Sequence, residues 1–261
     1  MNEARFMHNR LEGSTLAGAT RSIKVLAPEG DVSTGEHAYR QIRSAIVRCD
    51  YSPEARLRVE ELGTRLGVSS SPVREALHRL SVEGLVVALD QRGFRVAPIT
   101  IAGIRDLTRV RLLVESETLA DAIKMGDDDW EASLVGVAHQ LSKTEATLPA
   151  GPTALDDQWA ASHRNFHLAL YAGSTSPLLV QHSRSLFDLA DRYRRYSATE
   201  RLTPRTKRTE HRQILDAVLE RDTDLAVALL RRHIEATERN VVAALTAAAD
   251  KQSAASRDHV A

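Results

Sequence analysis

The chain has 261 residues and no formal net charge, because 35 Lys and Arg residues balance 35 Asp and Glu residues. Hydrophobic residues make up 43% of the chain and aromatic residues only 4%, which favours a globular helical protein over a β-sandwich. The longest aliphatic runs are about six residues, far short of the roughly 20 needed to cross a bilayer, and the N-terminal stretch lacks the apolar segment of a secretory signal. A single cysteine, Cys49, excludes an intrachain disulfide and a zinc ribbon. We therefore expect a mainly α, cytoplasmic protein with no membrane partner.

Composition and periodicity divide the chain into four segments. Residues 1–34 are rich in Gly, Ser, Thr and Asn without a sustained period, which predicts a flexible N-terminal arm. The arm is either a disordered leader or a basic segment that touches DNA. Residues 35–98 and 99–249 are predicted to form two domains, and residues 250–261 a flexible tail.

The first predicted domain has the element order of a winged helix-turn-helix. An i, i+3, i+4, i+7 stripe from Ile42 to Cys49 predicts one helix, and residues 59–66 predict a second that stops at Gly67. Ser71 followed by proline predicts the start of a third helix, which ends at Gly84. Residues 85–98 then predict a two-stranded hairpin with a polar, basic tip. The third helix is narrow enough for the major groove, and the hairpin tip can reach the neighbouring backbone.

The second predicted domain is an antiparallel all-helical bundle. No strand pattern appears in it, and a break at Pro149 to Pro152 separates two of its helices. The first predicted helix of this domain runs from about Ile104 to Lys124. Further helices are predicted over residues 127–147, 154–172, 177–198, 205–220 and 223–248.

Two stretches resemble a known family. ARLRVEELGTRLGVSSSPVREALHRLSVEGLVVALDQRGFRV resembles the DNA-binding signature of GntR-type bacterial transcriptional regulators, and DLTRVRLLVESETLADAI resembles the helical effector domain of the FCD subgroup. The resemblance implies a dimeric transcription factor, most often a repressor, controlled by a small organic acid. Ser70 stands where most members have Arg, and Glu60 where some members have a DNA-contacting Arg, so a relative's operator sequence does not transfer.

Candidate DNA contacts lie on the third helix and the hairpin. Hydroxyl and backbone N–H groups at the start of the helix can meet phosphate, and Arg74, one turn on, can reach a guanine edge or a phosphate. Residues 35–100 contain ten Arg against eight acids, a small excess of positive charge. DNA binding therefore requires that the basic residues be concentrated on one surface and that two copies of the domain bind a palindromic site. The predicted contacts are Arg58, Ser69, Ser70, Ser71, Arg74, Arg79, Gln91, Arg92 and Gly93.

Four histidines have the spacing of a metal site. His163 and His167 lie four residues apart on one helical face, while His211 and His233 each lie about ten residues from the predicted turn at residues 221–223. The bundle can therefore bring three or four imidazoles together. The family resemblance implies a site of one Asp and three His, with His163 standing where the Asp is usual. Imidazole ligands predict a divalent transition metal such as Zn or Ni rather than Mg or Ca.

Candidate effector contacts are Arg111, Glu115 and Asn165. Arg111 can clamp a carboxylate in a bidentate manner, or it can form a structural ion pair with Glu115 one turn away. Two alternatives to the metal-dependent regulator stay open: a metal-dependent hydrolase that uses the His cluster, and a metal-free regulator with a larger acyl-type ligand.

Overall fold

The computed structural model describes residues 33–90, 92–147, 156–199 and 208–258. The N-terminal part contains α1 (Thr34–Val47), β1 (Arg56–Leu57), α2 (Val59–Leu66), α3 (Ser70–Val82), β2 (Val86–Leu89) and β3 (Gly93–Val96). The C-terminal part contains α4 (Ile101–Met125), α5 (Asp128–Thr147), α6 (Asp157–Tyr171), α7 (Pro177–Thr199), α8 (Arg208–Leu219) and α9 (Thr223–Asp258). The fold is the expected mainly α arrangement of a winged helix-turn-helix and an all-helical bundle. Within these residues no helix is both long and apolar enough to span a membrane.

The N-terminal domain is built around one apolar core. The buried stripes of α1, α2 and α3 pack together, with Ile42, Leu62 and Leu77 among the residues least exposed to solvent. Gly67 ends α2 in the left-handed conformation with φ of 68°, as the sequence predicts. The wing is an antiparallel sheet of order β1-β3-β2, in which Phe94 pairs with Leu57 on one side and Ala88 on the other.

Three details differ from the sequence-based expectation. The short strand β1 was not predicted, because a two-residue strand has no periodicity of its own and exists only through its pairing with β3. Helix α3 begins at Ser70 with Ser69 as its N-cap, not at Pro72, which instead lies within the first turn where a proline is tolerated. Helix α9 runs to Asp258, so residues 250–258 are helical rather than a flexible tail. Of the predicted arm at residues 1–34, residues 1–32 lie outside the described residues, whereas Ser33 caps α1 and Thr34 begins it.

The bundle has a separate core and contacts the N-terminal domain directly. Trp159, Phe166 and Tyr171 of α6 form the aromatic centre of the bundle core. Between the domains, Arg43 of α1 donates to Asp188 of α7 at 2.7 Å, and Arg192 of α7 donates to the carbonyl of Ala97. Helix α7 therefore supplies the bundle's side of both contacts with the N-terminal domain.

Candidate nucleic-acid interface and candidate metal centre

The start of α3 forms an open polar surface. The N–H of Val68 donates to the carbonyl of Gly63 at 3.0 Å, which closes the turn between α2 and α3. The side chain of Arg74 is 57% exposed, and its nearest acidic group is the Glu60 carboxylate at 3.9 Å. Because only this long, exposed ion pair holds it, Arg74 can turn toward a ligand at little cost in protein contacts. Ser69, Ser70 and Ser71 are exposed beside it.

The other predicted DNA contacts differ in how firmly the protein holds them. Arg58 pairs with Glu61 at 2.7 Å, and both side chains remain mostly exposed. Arg79 lies against α1, where it donates to Glu36 at 3.0 Å and stacks over the ring of Tyr39. Five helical residues separate Arg79 from Arg74, a rotation of about 140°, so the two side chains leave different faces of α3. The structure thus places Arg79 with α1 rather than beside Arg74.

The wing tip is exposed and basic. Arg92 and Gly93 are exposed, and Gly93 has φ of 88°, a conformation that glycine adopts at no steric cost. Arg56 and Arg95, paired across β1 and β3, extend the cationic surface from the tip. Gln91 lies outside the described residues.

The four predicted histidines meet inside the bundle. His163 and His167 come from α6, His211 from α8 and His233 from α9, and all four are buried. One ligand atom of each lies within 4.8 Å of the corresponding atoms of the other three. Sequence spacing predicted this convergence because the α8–α9 hairpin sets His211 and His233 at similar heights.

The outer partners of the imidazoles carry charge. The Nδ1 atom of His233 lies 2.8 Å from a carboxylate oxygen of Glu210, and the Nδ1 atom of His211 lies 3.6 Å from Glu145. His163 faces a cation instead, since the Nη1 atom of Arg194 lies 2.6 Å from its Nδ1 atom. Burial lowers the pKa of the Arg194 guanidinium below its ordinary value, although the Asp191 carboxylate opposes the change.

The donor set fits a divalent transition metal. Tetrahedral zinc holds imidazole nitrogens about 2.0–2.1 Å away, which places the ligand atoms about 3.3 Å from one another. A cluster whose ligand atoms lie within 4.8 Å reaches that geometry by small inward movements. Neutral nitrogen donors suit Zn and Ni better than Mg or Ca, which prefer oxygen ligands. The carboxylate of Glu210 on the Nδ1 atom of His233 is the kind of outer-sphere partner that metal-binding histidines usually have.

Arg111 and Glu115 form a buried ion pair beside the cluster. The Arg111 Nε and Nη2 atoms donate to the two Glu115 oxygens at 2.6 and 3.0 Å, and the Tyr171 hydroxyl also donates to Glu115 at 2.6 Å. Burial alone would lower the pKa of Arg111, but the negative charge of Glu115 raises it by more. The pKa of Arg111 therefore lies above its ordinary value. Arg111 also borders a small cavity with His163 and His233. The structural ion pair is therefore present, and one edge of Arg111 still faces the cluster.

The structure does not bring Asn165 to the site. Its side chain is exposed, whereas His163 and His167 on the same helix are buried. A residue two positions from each histidine is rotated by about 200° around the helix and faces the opposite side. The prediction that Asn165 contacts the effector is therefore corrected, because Asn165 is a surface residue.

Sequence reasoning missed three charged residues of α7. Asp188 receives hydrogen bonds from Arg43 and Arg164, while Asp191 and Arg194 lie against the His cluster. Their spacing of three residues was the available signal, because i, i+3 positions share one helical face. Their partners lie on other helices, so spacing alone does not identify them.

Comparison with known proteins follows the same division of the chain. Residues 34–96 match the bacterial regulatory proteins of the gntR family, and residues 106–236 match the FCD domain. The chain is 37% identical to the HTH-type transcriptional repressor GlaR of Escherichia coli, over 77% of this chain and 92% of that protein. It is 35% identical to the uncharacterized HTH-type transcriptional regulator BphR of Paraburkholderia xenovorans, over 88% of this chain and 96% of that protein. E. coli McbR/YncC shares the fold, with a TM-score of 0.67 at 22% identity over 82% of this chain and 98% of that chain.

Proposed function

The chain belongs to the gntR family of bacterial regulatory proteins and carries an FCD domain, and on this premise we propose a metal-containing repressor controlled by a small organic acid. It is a DNA-binding transcriptional regulator and not an enzyme, as the family and the named relatives agree. These relatives give no support to the hydrolase alternative. The cytoplasm is the proposed location because chromosomal DNA is the partner.

The proposed DNA contacts begin with the N-terminal turn of α3. Ser69, Ser70 and Ser71 offer hydroxyls and backbone N–H groups to phosphate, while Arg74 reads a base edge in the major groove. The wing residues Arg92 and Gly93 reach the adjacent backbone. Their exposure and the loose hold on Arg74 support this assignment.

We propose that two copies bind a palindromic operator. One domain has an excess of only two arginines over acids, which is weak attraction for a polyanion. Dimerisation through the bundle doubles the contact and matches the two-fold symmetry of the site. Helix α4 supports this role, because Leu113 is 67% exposed on it and Val110 is exposed nearby.

The buried cluster of four histidines is the observation that carries the proposed metal site. His163, His167, His211 and His233 are the residues that would hold the ion, with Glu210 orienting the ring of His233 and Glu145 lying near that of His211. A bound divalent metal would supply a Lewis-acidic position for a carboxylate oxygen. The protein supplies the neutral donors, their orientation and exclusion of water.

The effector is proposed to change the bundle because the space beside the cluster is small on the side that Arg111 borders. The cavity bordered by Arg111, His163 and Arg194 measures about 10 Å³, the volume of about one water molecule. An organic acid therefore enters this side of the cluster only when the surrounding helices separate. It binds the widened arrangement better than the closed one, which is the condition for a ligand to shift a conformational equilibrium.

Helix α7 is proposed to carry that shift to the DNA-binding domain. Asp191 and Arg194 line the cavity, and Asp188, one turn earlier, holds Arg43 of α1. A displacement of α7 at the cavity therefore moves the attachment point of the winged domain. The spacing of the two recognition helices on the operator changes as a result.

The metal site is tested with the protein purified after mild dialysis. We expect one equivalent of divalent metal per chain, lost in His167→Gln and retained in the control His182→Gln, which alters an exposed histidine of α7. A metal-free wild-type protein with intact regulation would instead support the larger acyl-type ligand.

Effector control is tested by titrating small carboxylic acids against the operator complex. If no acid changes DNA affinity, control by an organic acid is refuted.

A further inference from the structure

A large polar cavity lies between the two domains, and none of the four histidines borders it. Its volume is about 840 Å³, within the roughly 300–1,000 Å³ of small-molecule sites. One wall comes from α1 and α3 of the DNA-binding domain, and the other comes from α6 and α7 of the bundle. Most of the side chains that border this space, the interdomain cleft, are charged, and arginine is the commonest of them. A ligand of the cleft is therefore polar and negatively charged.

Two contacts align α1 and α7 along the cleft. Arg43 of α1 donates to Asp188 of α7 at 2.7 Å. The Sγ atom of Cys49, just after α1, lies 3.6 Å from the carbonyl oxygen of Arg192, one turn farther along α7. Both contacts advance toward the C-terminus, so the two helices run in the same direction here. Residues one turn before Arg43 and one turn before Asp188 therefore lie at the same end of the cleft.

Those residues are Arg40 and Arg184, and both border the cleft. The Arg40 side chain is 63% exposed and donates to Glu36 at 2.7 Å. Glu36 also accepts from Arg79 of α3 at 3.0 Å, so two guanidinium groups share one carboxylate. Their hydrogen bonds, first that of Arg40 and then that of Arg79, lower the pKa of the Glu36 carboxyl. Arg184 is exposed and makes no hydrogen bond or ion pair with any residue that the structure describes.

This end of the cleft has more guanidinium groups than carboxylates. Asp188 is shared as Glu36 is, because it accepts from both Arg43 and Arg164. Glu83, the third carboxylate, also accepts from Arg43. Among the described residues, these three carboxylates face a larger set of guanidinium groups, which is Arg40, Arg43, Arg79, Arg164 and Arg184. Two positive charges are therefore left without a counter-charge.

We propose that this end of the interdomain cleft binds a small phosphate ester, whose phosphate contacts Arg40 and Arg184. A phosphate monoester carries nearly two negative charges at neutral pH and has three strong acceptor oxygens. It therefore balances the excess charge and accepts hydrogen bonds from guanidinium groups on two helices at once. A carboxylate carries only one charge and has only two oxygens. The polar side chains of Ser44, Gln181 and Ser185 also border the cleft and suit a hydroxyl-bearing body of the ester.

The ligand bridges the two domains, because Arg40 belongs to α1 and Arg184 to α7. A bound phosphate therefore holds the winged domain against the bundle and slows its separation from α7. This input to the DNA-binding domain is separate from the metal and the organic acid of the proposed function.

Isothermal titration calorimetry with inorganic phosphate, the head group alone, tests the site. We expect one phosphate per chain and a loss of affinity of at least about tenfold in Arg184→Gln, because a charge-assisted hydrogen bond is removed. The control Arg232→Gln, which alters an exposed arginine of α9, should bind phosphate like the wild type. Equal affinities in the two variants, or no saturable binding to the wild type, would overturn the proposal.

Two further titrations test the kind of anion and its position. Acetate should bind at least about tenfold more weakly than phosphate, because it carries half the charge. Acetate binding as tight as that of phosphate would overturn the assignment to phosphate. His167→Gln should keep the wild-type affinity for phosphate. Loss of affinity in His167→Gln but not in Arg184→Gln would place the anion at the His cluster and would also overturn the proposal.

Hydrogen exchange tests whether the ligand bridges the domains. Phosphate should slow exchange in α1 of the wild type, compared with sodium chloride of equal ionic strength, and should have less effect in Arg184→Gln. The general stabilisation of proteins by phosphate acts on both proteins equally, so the difference between them reports binding in the cleft. The same slowing in both proteins would contradict a bridge between α1 and α7.

Discussion

Asp188 of α7 contacts Arg43 in the N-terminal domain, and replacing Asp188 with Asn tests how much this contact contributes to stability. One oxygen accepts from Arg43 Nη2 at 2.7 Å and from Arg164 Nη2 at 3.0 Å, and the other accepts from Arg164 Nε at 2.7 Å. The Asp188 side chain is only 4% exposed. Asp188→Asn keeps the volume of the side chain, removes its charge and leaves two guanidinium groups facing each other.

The magnitude follows from the exposure of the two arginines. Breaking a fully buried ion pair costs about 3–5 kcal/mol. Arg43 and Arg164 are 21% and 35% exposed, and Arg43 keeps Glu83 as a partner at 3.0 Å, so hydration and Glu83 offset part of that cost. We expect a loss of about 2–3 kcal/mol, which lowers Tm by about 4–12 °C for a protein of this size.

Thermal unfolding followed by circular dichroism measures this effect. The matched control is Asp216→Asn, which breaks the ion pair between Arg212 and Asp216, whose side chains are 75% and 50% exposed. The control should change stability by less than about 0.5 kcal/mol. Hydrogen exchange should also show faster opening of α1 in Asp188→Asn. A Tm within 1 °C of the wild type, with unchanged exchange in α1, would refute the assignment of Asp188 as the link between domains.

Three local environments, at Glu115, Cys49 and Gly63, give the remaining predictions. Glu115→Gln should destabilise the protein by about 3–5 kcal/mol, because it leaves the buried guanidinium of Arg111 without its counter-charge, and a denaturant midpoint equal to that of wild type would contradict this. Burial raises the pKa of Cys49 to about 11. Ellman's reagent at pH 8 should therefore modify Cys49 about 100-fold more slowly in the folded protein than in an unfolded control. Equal rates in the two samples would contradict this prediction. The same shift predicts that the contribution of Cys49 to stability is present below pH 9 and is lost as the pH rises through 11. Gly63→Ala should weaken DNA binding, because its Cβ would lie 2.8 Å from the carbonyl oxygen of Val68 in the turn before α3, and wild-type affinity would show that the turn adjusts freely.

Much of the fold was predictable because its signals are local. Apolar stripes, caps and Gly67 identify the helices of the N-terminal domain, and the i, i+4 pair with the α8–α9 hairpin predicts that the histidines converge. The remaining features depend on long-range pairing. Strand β1 exists only against β3, and the contacts of Asp188 and Arg194 join helices that are far apart in sequence. The spacing of residues along a helix identifies the face on which they lie. It does not identify the side chain on another helix that contacts them.

The most direct test of DNA recognition by α3 is the affinity of Arg74→Ala for an operator selected by the wild-type protein from random duplex DNA. A base contact by Arg74 is worth about 1–3 kcal/mol, which predicts a loss of about 5- to 150-fold for each half-site. Arg232→Ala, which alters an exposed arginine of α9, should bind like the wild type. Affinity and sequence preference of Arg74→Ala within twofold of the wild type would contradict recognition through this face of α3.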